Sequence, residues 1–512
     1  MSFSDPLHLL IKSLNKNEII YFKRYAKKQT NNYLKLFDAV AKQKQEYDEE
    51  RILKKFAKEK FSKQLHVTKN RLLHSILKSL QDYHYNISFQ SGLKNTLRSV
   101  EILFNKGLYD TCSKLLSKAK KDIHVYEDET DSLFLEIIEW ERKLLIKQIK
   151  DKSKIQRALI DLEIQEEEVF NKYINARKYR FLVDKIFLIN YTKGVDIDKK
   201  SQKLMDQYAK DPLLGSEKNA LSFIAKIYYN NFFEIYYSLK KDTLSGIKYA
   251  KRKVELIEDH PEILRIRPSV YLDALDNLRI LYTRHKNYRE VFSVLNKIKL
   301  FPEKTIHIKV WKFVHSTIPE ISTHSSIGEF QKASVLALGI NKEIKDYEGQ
   351  IDSGRLMFIY ILMAYTFFGS ANYKVALKWT NKILNEPNIG WREDLMNYAK
   401  LLNLILHFEI GNHDLLESVI KSSVRFFENK KSSYHFELSF IELLKEMREQ
   451  NGEVRFITSM KNLKEAMIKN SSKGSISISQ DNLELLLGWL ESKIENKPFA
   501  EAIKEKQELE QH

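Results

Sequence analysis

The chain has 512 residues, 43% of them hydrophobic, which excludes wholesale disorder and leaves room for several domains or one long array. Its 15 Gly and 8 Pro fall far below the roughly 35 and 25 of average usage, which excludes the frequent tight turns of a sheet protein and predicts an all-α fold. Lys and Arg outnumber Asp and Glu by 85 to 68, a net +17, and the single cysteine, Cys112, rules out an intrachain disulfide and a cysteine zinc cluster.

The first residues, MSFSDPLHLLIKSLNK, are not expected to act as a secretory signal, because Asp5 and Pro6 stand where a basic region belongs. With the lone cysteine, this predicts a cytoplasmic protein. Residues 1–90 read as four or five short helices. Leu9, Leu10 and Leu14 open one; Ile19, Ile20, Phe22 and Tyr25 carry a second; Tyr33, Leu34, Leu36, Phe37 and Val40 carry a third. A basic amphipathic stretch follows over 52–61. The best helix spans 68–83, with Leu72, Leu73, Ile76, Leu77, Leu80 and Tyr83 inward and Lys69, Arg71, Ser75, Lys78 and Asp82 outward. This segment holds the charge surplus: residues 1–100 contain 20 Lys/Arg against 9 Asp/Glu, a net +11, and residues 51–100 contain 11 against 2. Such asymmetry points either to an acidic partner or to a solvated lysine face. Lysine without arginine or glycine favours the second.

From residue 91 onward a turn recurs: a small or polar residue, usually a polar one, then an aromatic or apolar one. Clear cases are Gly107-Leu108-Tyr109, Lys286-Asn287-Tyr288, Gly328-Glu329-Phe330, Ala371-Asn372-Tyr373, Gly411-Asn412-His413 and Gly452-Glu453-Val454. The third positions from Tyr288 are spaced 42, 43, 40 and 41 residues apart, the signature of a helical solenoid. Vaguer turns are expected near 151–153 and 194–196 and at Asp242-Thr243-Leu244, and a last one at Lys497-Pro498-Phe499, with a polar loop over 471–480. An apolar residue three positions after most turns (Cys112, Ile247, Val291, Ala333, Ala376, Leu416, Ile457, Ala502) is expected to face inward. Residues 287–302 and 372–387 share N-Y-x7-N-K-I-x3-P, with Pro302 and Pro387 stopping the second helix.

At these residues the chain resembles the tetratricopeptide-repeat family, whose second helix follows a G-[DN]-Y turn, with Ala three residues on and Pro after the helix. Tyr360, Ala364, Phe367, Tyr373, Ala376 and Pro387 match best, while Ile383 stands where a second Ala is usual. The likeness is strongest over about 270–460, and the period is about 42 rather than 34, so HEAT-like pairs remain an alternative. The resemblance implies a right-handed solenoid of antiparallel helix pairs over 91–512, behind a small basic helical domain over 1–90. It also implies a concave groove for a protein or peptide, and no catalysis. Carried onto this chain, the groove positions are Phe358, Ile361, Tyr365 and Phe368, then Tyr398, Leu401, Ile405 and Phe408, an apolar surface suited to an amphipathic helix. Burial of these residues against neighbouring helices is the competing reading.

No phosphate-binding, dinucleotide, zinc-protease or nucleophile-elbow motif occurs, so no catalytic, cofactor or metal residue is expected. Cys112 reads as a buried small hydrophobe. His66, His74 and His84 lack metal-ligand spacing. The run Glu166-Glu167-Glu168 reads as a solvated face. Tyr228, Tyr229, Phe232, Phe233, Tyr236 and Tyr237 read as packing aromatics rather than a base-stacking platform. Residues 356–368, 13 in a row without charge, are short of the about 20 needed to span a membrane and predict a buried helix.

One further reading concerns nucleic acid. Residues 65–70, ahead of a basic helix, look a little like the turn and recognition helix of helix-turn-helix proteins, although His66 stands where Gly is usual. Lys54, Lys55, Lys58, Lys63, Lys69, Arg71 and Lys78 would then meet phosphates and Asn70 a base edge. The sequence thus favours a non-enzymatic protein- or peptide-binding scaffold. Its alternative is a regulator whose basic domain binds nucleic acid while the array senses a protein or peptide.

Overall fold

In the computed structural model the described residues are 5–27, 31–43, 47–85, 89–123, 131–148, 151–193, 197–261, 264, 267–303, 305–347, 349–385, 393–428, 435–449, 453–471 and 480–509. Every regular element among them is a helix, as the shortage of turn-formers requires. The expected turn at 452, the loop over 472–479, the turn at 194–196 and Pro387 lie outside the described residues. The chain forms two compact units, one of residues 1–192, 198–232 and 256–268, the other of 193–197, 233–255 and 269–512.

The first unit begins with helices Pro6–Ser13, Lys16–Lys27, Asn31–Ala41 and Glu49–Lys55, a 3-10 turn Lys60–Gln64, and helix Leu65–Tyr83. Their starts are chemically marked. The Asp5 carboxylate accepts from the backbone of Leu7 (2.9 Å) and His8 (3.2 Å), with Pro6 just inside the helix. Asn15 and Glu18 cap reciprocally: Asn15 Oδ1 accepts from the Glu18 amide (3.0 Å), and Glu18 Oε2 accepts from the Asn15 amide (2.8 Å). Leu7, Ile11, Phe22, Leu36, Phe37, Val40, Ile52, Leu72 and Ile76 close the core. Leu93, Leu97, Val100, Cys112, Leu116, Ile137 and Ile138 form a separate one between helices Phe89–Asn105, Tyr109–Ile123 and Asp131–Gln148.

The next element departs from the expected repeat. The turn near 151–153 exists only as a cap, in which Asp151 accepts from the Ser153 amide (2.9 Å). From there one helix, Lys152–Lys193, runs for 42 residues where the repeat predicts the second helix of one pair and the first of the next. Residues 152–193 contain neither Gly nor Pro, so nothing interrupts the helix. Its C-terminal half anchors an irregular stretch. The Asn175 side chain donates to Asn219 O and accepts from the Leu221 amide, both at 3.0 Å, and Tyr179 Oη donates to Leu213 O (2.5 Å).

In the second unit, helices from Pro268–Arg284 through Phe499–Leu509 follow one another. One core joins Ile321, Phe330, Met363, Phe368, Leu402, Ile405, Phe427, Phe440, Leu486 and Trp489. A π-helical segment, Phe313–Thr317, sits between helices Ile306–Lys312 and Ile318–Ser326. Pro319, which has no amide hydrogen, stands two residues after it. The helix after Phe330 is broken by Gly339 into Phe330–Ala337 and Ile340–Asp346.

Seven of the described turns share one conformation. Gly107, Lys241, Lys286, Gly328, Ala371, Gly411 and Asn496 all lie at positive φ, between 51° and 77°, and the only other positive φ among the described residues is at Gly349. At each, the left-handed residue donates to the carbonyl three residues back and its successor to the carbonyl five back, as in Ala371 N to Phe368 O (2.9 Å) and Asn372 N to Phe367 O (2.8 Å). This is the Schellman closure of a helix C-terminus. The successor then accepts the first bond of the following helix, for example Ala376 N to Asn372 O (3.0 Å) and Val291 N to Asn287 O (3.1 Å). One residue therefore ends one helix and caps the next. The helices flanking 107, 328, 371, 411 and 496 pack on each other.

Two turns differ from expectation. The one assigned to 242–244 begins a residue earlier, at Lys241. The last begins at Asn496 and carries one extra residue, so that Pro498 O receives the bond from Ala502 N (3.2 Å). Of the positions expected inward, Cys112, Ile247, Val291, Ala333, Ala376, Leu416 and Ala502 are buried and Ile457 is half-buried. Close packing at the turns also uses Gly369: a Cβ there would lie 2.1 Å from the Phe330 ring.

Candidate functional site

The N-terminal helix Leu65–Tyr83 is rotated relative to expectation. Leu65, Leu72, Ser75, Ile76 and Ser79 face the core. Ser79 Oγ satisfies itself on Ile76 O (2.8 Å), and the helix packs on Lys16–Lys27. Leu77 and Tyr83, expected inside, are 40% and 39% exposed. The start also differs. Residues 65–67 are helical and His66 is not left-handed, so there is no helix-turn-helix turn at these residues; the 3-10 segment Lys60–Gln64 precedes the helix instead.

The rotation collects His66, Asn70, Arg71, His74, Lys78 and Gln81 on one exposed face. Lys54, Lys55, Lys58 and Lys63 are exposed ahead of it. Lys54 meets Glu50 at 3.8 Å, a fully solvated pair of little weight, and Lys55 lies over the Phe56 ring (5.4 Å). Between residues 51 and 81 the only acid is Glu59, and it is bonded to Lys35. The face therefore carries mainly cations and amides, with one carboxylate, Asp82, at its C-terminal end.

Lys69 does not belong to this face, which corrects its assignment as a phosphate contact. Its Nζ donates to Asp5 Oδ2 and Glu49 Oε2, each at 2.5 Å, and sits over the Tyr47 ring (4.5 Å). Its side chain is only 14% exposed. Burial by itself would lower the ammonium, but its bonds to Asp5, Glu49 and Tyr47 outweigh that and hold it above the usual lysine range. Burial pushes the Tyr47 phenol up to about 12. Lys69 ties the Asp5 cap of the first helix to the fourth and fifth.

The proposed groove is mostly core. Phe368 (1% exposed), Tyr398 (5%), Leu401 (0%) and Ile405 (0%) are interior side chains. Ile361, Tyr365 and Phe408 are half-buried, with Tyr365 edge-on to Phe330 (5.3 Å) and to Phe499 (5.9 Å). Only Phe358, 53% exposed, stands out. The helices that carry these residues are packed on more than one side, so the positions lining a groove in shorter repeats are filled here. The aromatic patch at 228–237 is likewise interior or half-buried. Cys112 is wholly buried, its Sγ donating to Val100 O (3.5 Å) and its thiol pushed up by burial.

Sequence reasoning missed a charged cluster in the second unit. Asp276 accepts from His315 Nδ1 (2.6 Å) and from Arg279 (2.7 Å). Burial opposes ionisation of Asp276, but His315 and Arg279 outweigh it and hold the carboxyl below its ordinary range. Trp311 stacks on His315 at 4.5 Å and 16°, and burial pushes the nearby Asp273 carboxyl up. Lys253 and Glu234 form a buried pair. The 39-residue separation of Asp276 and His315 leaves no local motif to find. An Asp–His pair can serve a nucleophile only through the free ring nitrogen. Here His315 Nε2 faces Arg355 Nη1 at 3.3 Å, which fixes that nitrogen as an acceptor already in use.

A pocket of about 300 Å³ in the first unit is lined by Ser113, Ser117, Glu141, Gln148 and Asp161 over Leu116 and Leu144. Its polar rim is largely bonded within the protein: Ser113 to Gln148 (2.8 Å), Gln148 to Asp110 (2.8 Å) and Lys120 to Glu141 (2.5 Å). Asn403 Oδ1, His407 Nδ1 and Glu437 Oε1 are buried without a hydrogen bond. Burial lowers His407 and raises Glu437. Among the described residues no group of His, Cys, Asp and Glu could hold a metal, and no helix is long and apolar enough to cross a membrane. Comparison with protein families and with curated proteins finds no match to this chain.

Proposed function

We propose that this chain is a non-enzymatic, cytoplasmic helical-repeat adaptor whose N-terminal domain binds duplex nucleic acid. The observation that carries the reading is the outer face of helix Leu65–Tyr83, with Asn70, Arg71, His74, Lys78 and Gln81 together, a single carboxylate, Asp82, in its last turn, and Lys54, Lys55, Lys58 and Lys63 in front. An exposed helix bearing amides between cations fits the major groove of DNA, where Asn and Gln read adenine and Arg or Lys read guanine or phosphate. The deep, narrow major groove of RNA does not admit such a helix.

The remainder is a right-handed solenoid of antiparallel helix pairs similar to tetratricopeptide arrays. The identical Schellman closures and the packing of the helices around them support this. It serves as a surface for protein partners rather than as a groove for a peptide, since half of the groove positions are interior.

The test is titration of the full chain with a labelled mixed-sequence DNA duplex. If Lys54, Lys55, Lys58, Lys63, Arg71 and Lys78 meet phosphates, affinity falls about a thousandfold between about 50 and 200 mM salt. Arg71→Glu and Lys78→Glu each weaken binding and flatten the logarithmic salt slope by about 1. No binding at low salt, or binding indifferent to both substitutions, refutes the proposal.

A further inference from the structure

Helix Lys152–Lys193 leaves one face uncovered along most of its length. Phe170, Phe181 and Leu188 are 50%, 55% and 59% exposed, and they lie with Arg177 at spacings of 7, 4 and 7 residues, one line along a helix. Arg177 lies over the Phe181 ring (5.8 Å). Single exposed apolar side chains are ordinary, but a row of them marks a contact surface.

The charges on this helix say what covers it. Residues 161–168 contain five acids and no base, and residues 172–180 contain four bases and no acid. Phe170 stands between the two blocks. A second copy laid parallel sets like charge on like, whereas one laid antiparallel sets each block on its opposite. We propose that two copies of the chain pair antiparallel along this face, about a two-fold axis at Phe170.

In that register Phe170 meets Phe170 of the partner subunit, Glu163 meets Arg177 of the partner subunit, and the half-buried Leu159 meets Phe181 of the partner subunit. Glu163, Glu167 and Arg177 are all exposed on this side, while Glu166 is engaged by Arg142 (2.5 Å) and Glu168 by Lys172 (2.9 Å). The contact is isologous, so it closes at two copies. Contact over 152–188 is about 55 Å long and about 10 Å wide. It covers about 1,100 Å² in total, just above the roughly 1,000 Å² of a specific interface. The dimer is therefore concentration-dependent, with dissociation in the micromolar range.

Sedimentation velocity of the full chain, from about 1 to 100 µM, tests this. The mass is expected to rise from 60.6 kDa toward twice that value. Phe181→Glu, at an exposed position, keeps the chain monomeric throughout. Glu163→Arg weakens pairing at least about tenfold, and adding Arg177→Glu in the same chain restores it, because the swapped charges again meet their opposites. A monomer at the highest concentration, or a dimer indifferent to Phe181→Glu, overturns the proposal. Failure of the double swap to restore pairing overturns the antiparallel register.

Discussion

Ala371→Gly should stabilise this protein, although it deletes a side-chain carbon. Ala371 sits at φ +58°, closing helix Ser353–Gly369 and opening Tyr373–Leu384. A left-handed conformation costs an L-residue about 1–2 kcal/mol. Glycine escapes that term but loses about 0.5–1 kcal/mol more chain entropy on folding. The difference is about 0.5–1 kcal/mol in favour of glycine. Gly411→Ala tests the same term with the opposite sign, because Gly411 is at φ +75° and an added Cβ would meet nothing within 4 Å. Gly328→Ala adds a collision: its Cβ would lie 2.8 Å from Ala500 O and 2.9 Å from Lys504 Cβ. Overpacking of that kind adds about 1–3 kcal/mol. A long helical chain need not unfold in one step, so hydrogen exchange of the flanking helices is the suitable assay. Exchange in residues 353–384 should slow about threefold for Ala371→Gly, since about 1.4 kcal/mol is tenfold. It should quicken about threefold near residue 411 for Gly411→Ala, and far more near 328 for Gly328→Ala. If Ala371→Gly quickens exchange while Gly411→Ala is silent, the strain argument is wrong. If Gly328→Ala and Gly411→Ala match, the collision is wrong.

Lys69→Met should destabilise the N-terminal domain by about 2 kcal/mol, because Asp5 and Glu49 lose their shared cation at a largely buried site. Its DNA salt slope should not change, unlike that of Lys78→Glu; equal slopes for the two variants would return Lys69 to the binding face. Glu437→Gln should stabilise the second unit at neutral pH by on the order of 1 kcal/mol, since burial raises the folded carboxyl above its unfolded value of about 4.3. In the parent chain that contribution is unfavourable above the raised folded value and fades as pH falls to the unfolded one. The variant's advantage, read by urea unfolding of the full chain, should therefore shrink between pH 7 and about pH 4. An advantage constant with pH refutes it.

The turns were readable in the sequence because their chemistry is local: a left-handed residue, then a capping residue, then a helix start. The inward positions after them followed from helical spacing alone. The fused helix 152–193 was readable too, had the absence of Gly and Pro been weighed above the period. The face of helix Leu65–Tyr83 was not, because two serines, Ser75 and Ser79, went inward for their size rather than their polarity. The groove positions failed for a related reason. Whether Leu401 or Ile405 meets solvent is decided by helices distant in sequence, and an apolar residue reads the same in either place. His315 and Asp276 left no local trace.

The doubled duty of residues such as Asn287, Asn372 and Asn412 has a consequence for how this chain can change over time. An insertion of one residue there would turn the next helix by about 100° and swing its apolar side away from its neighbours. A substitution at these turns perturbs one position, whereas a change of length re-aims a whole helix, and among the seven left-handed turns only that at Asn496 carries an extra residue. Diverged descendants should therefore keep the count of residues through each turn while losing its letters, and an alignment anchored on those counts would recover kinship that residue identity no longer shows.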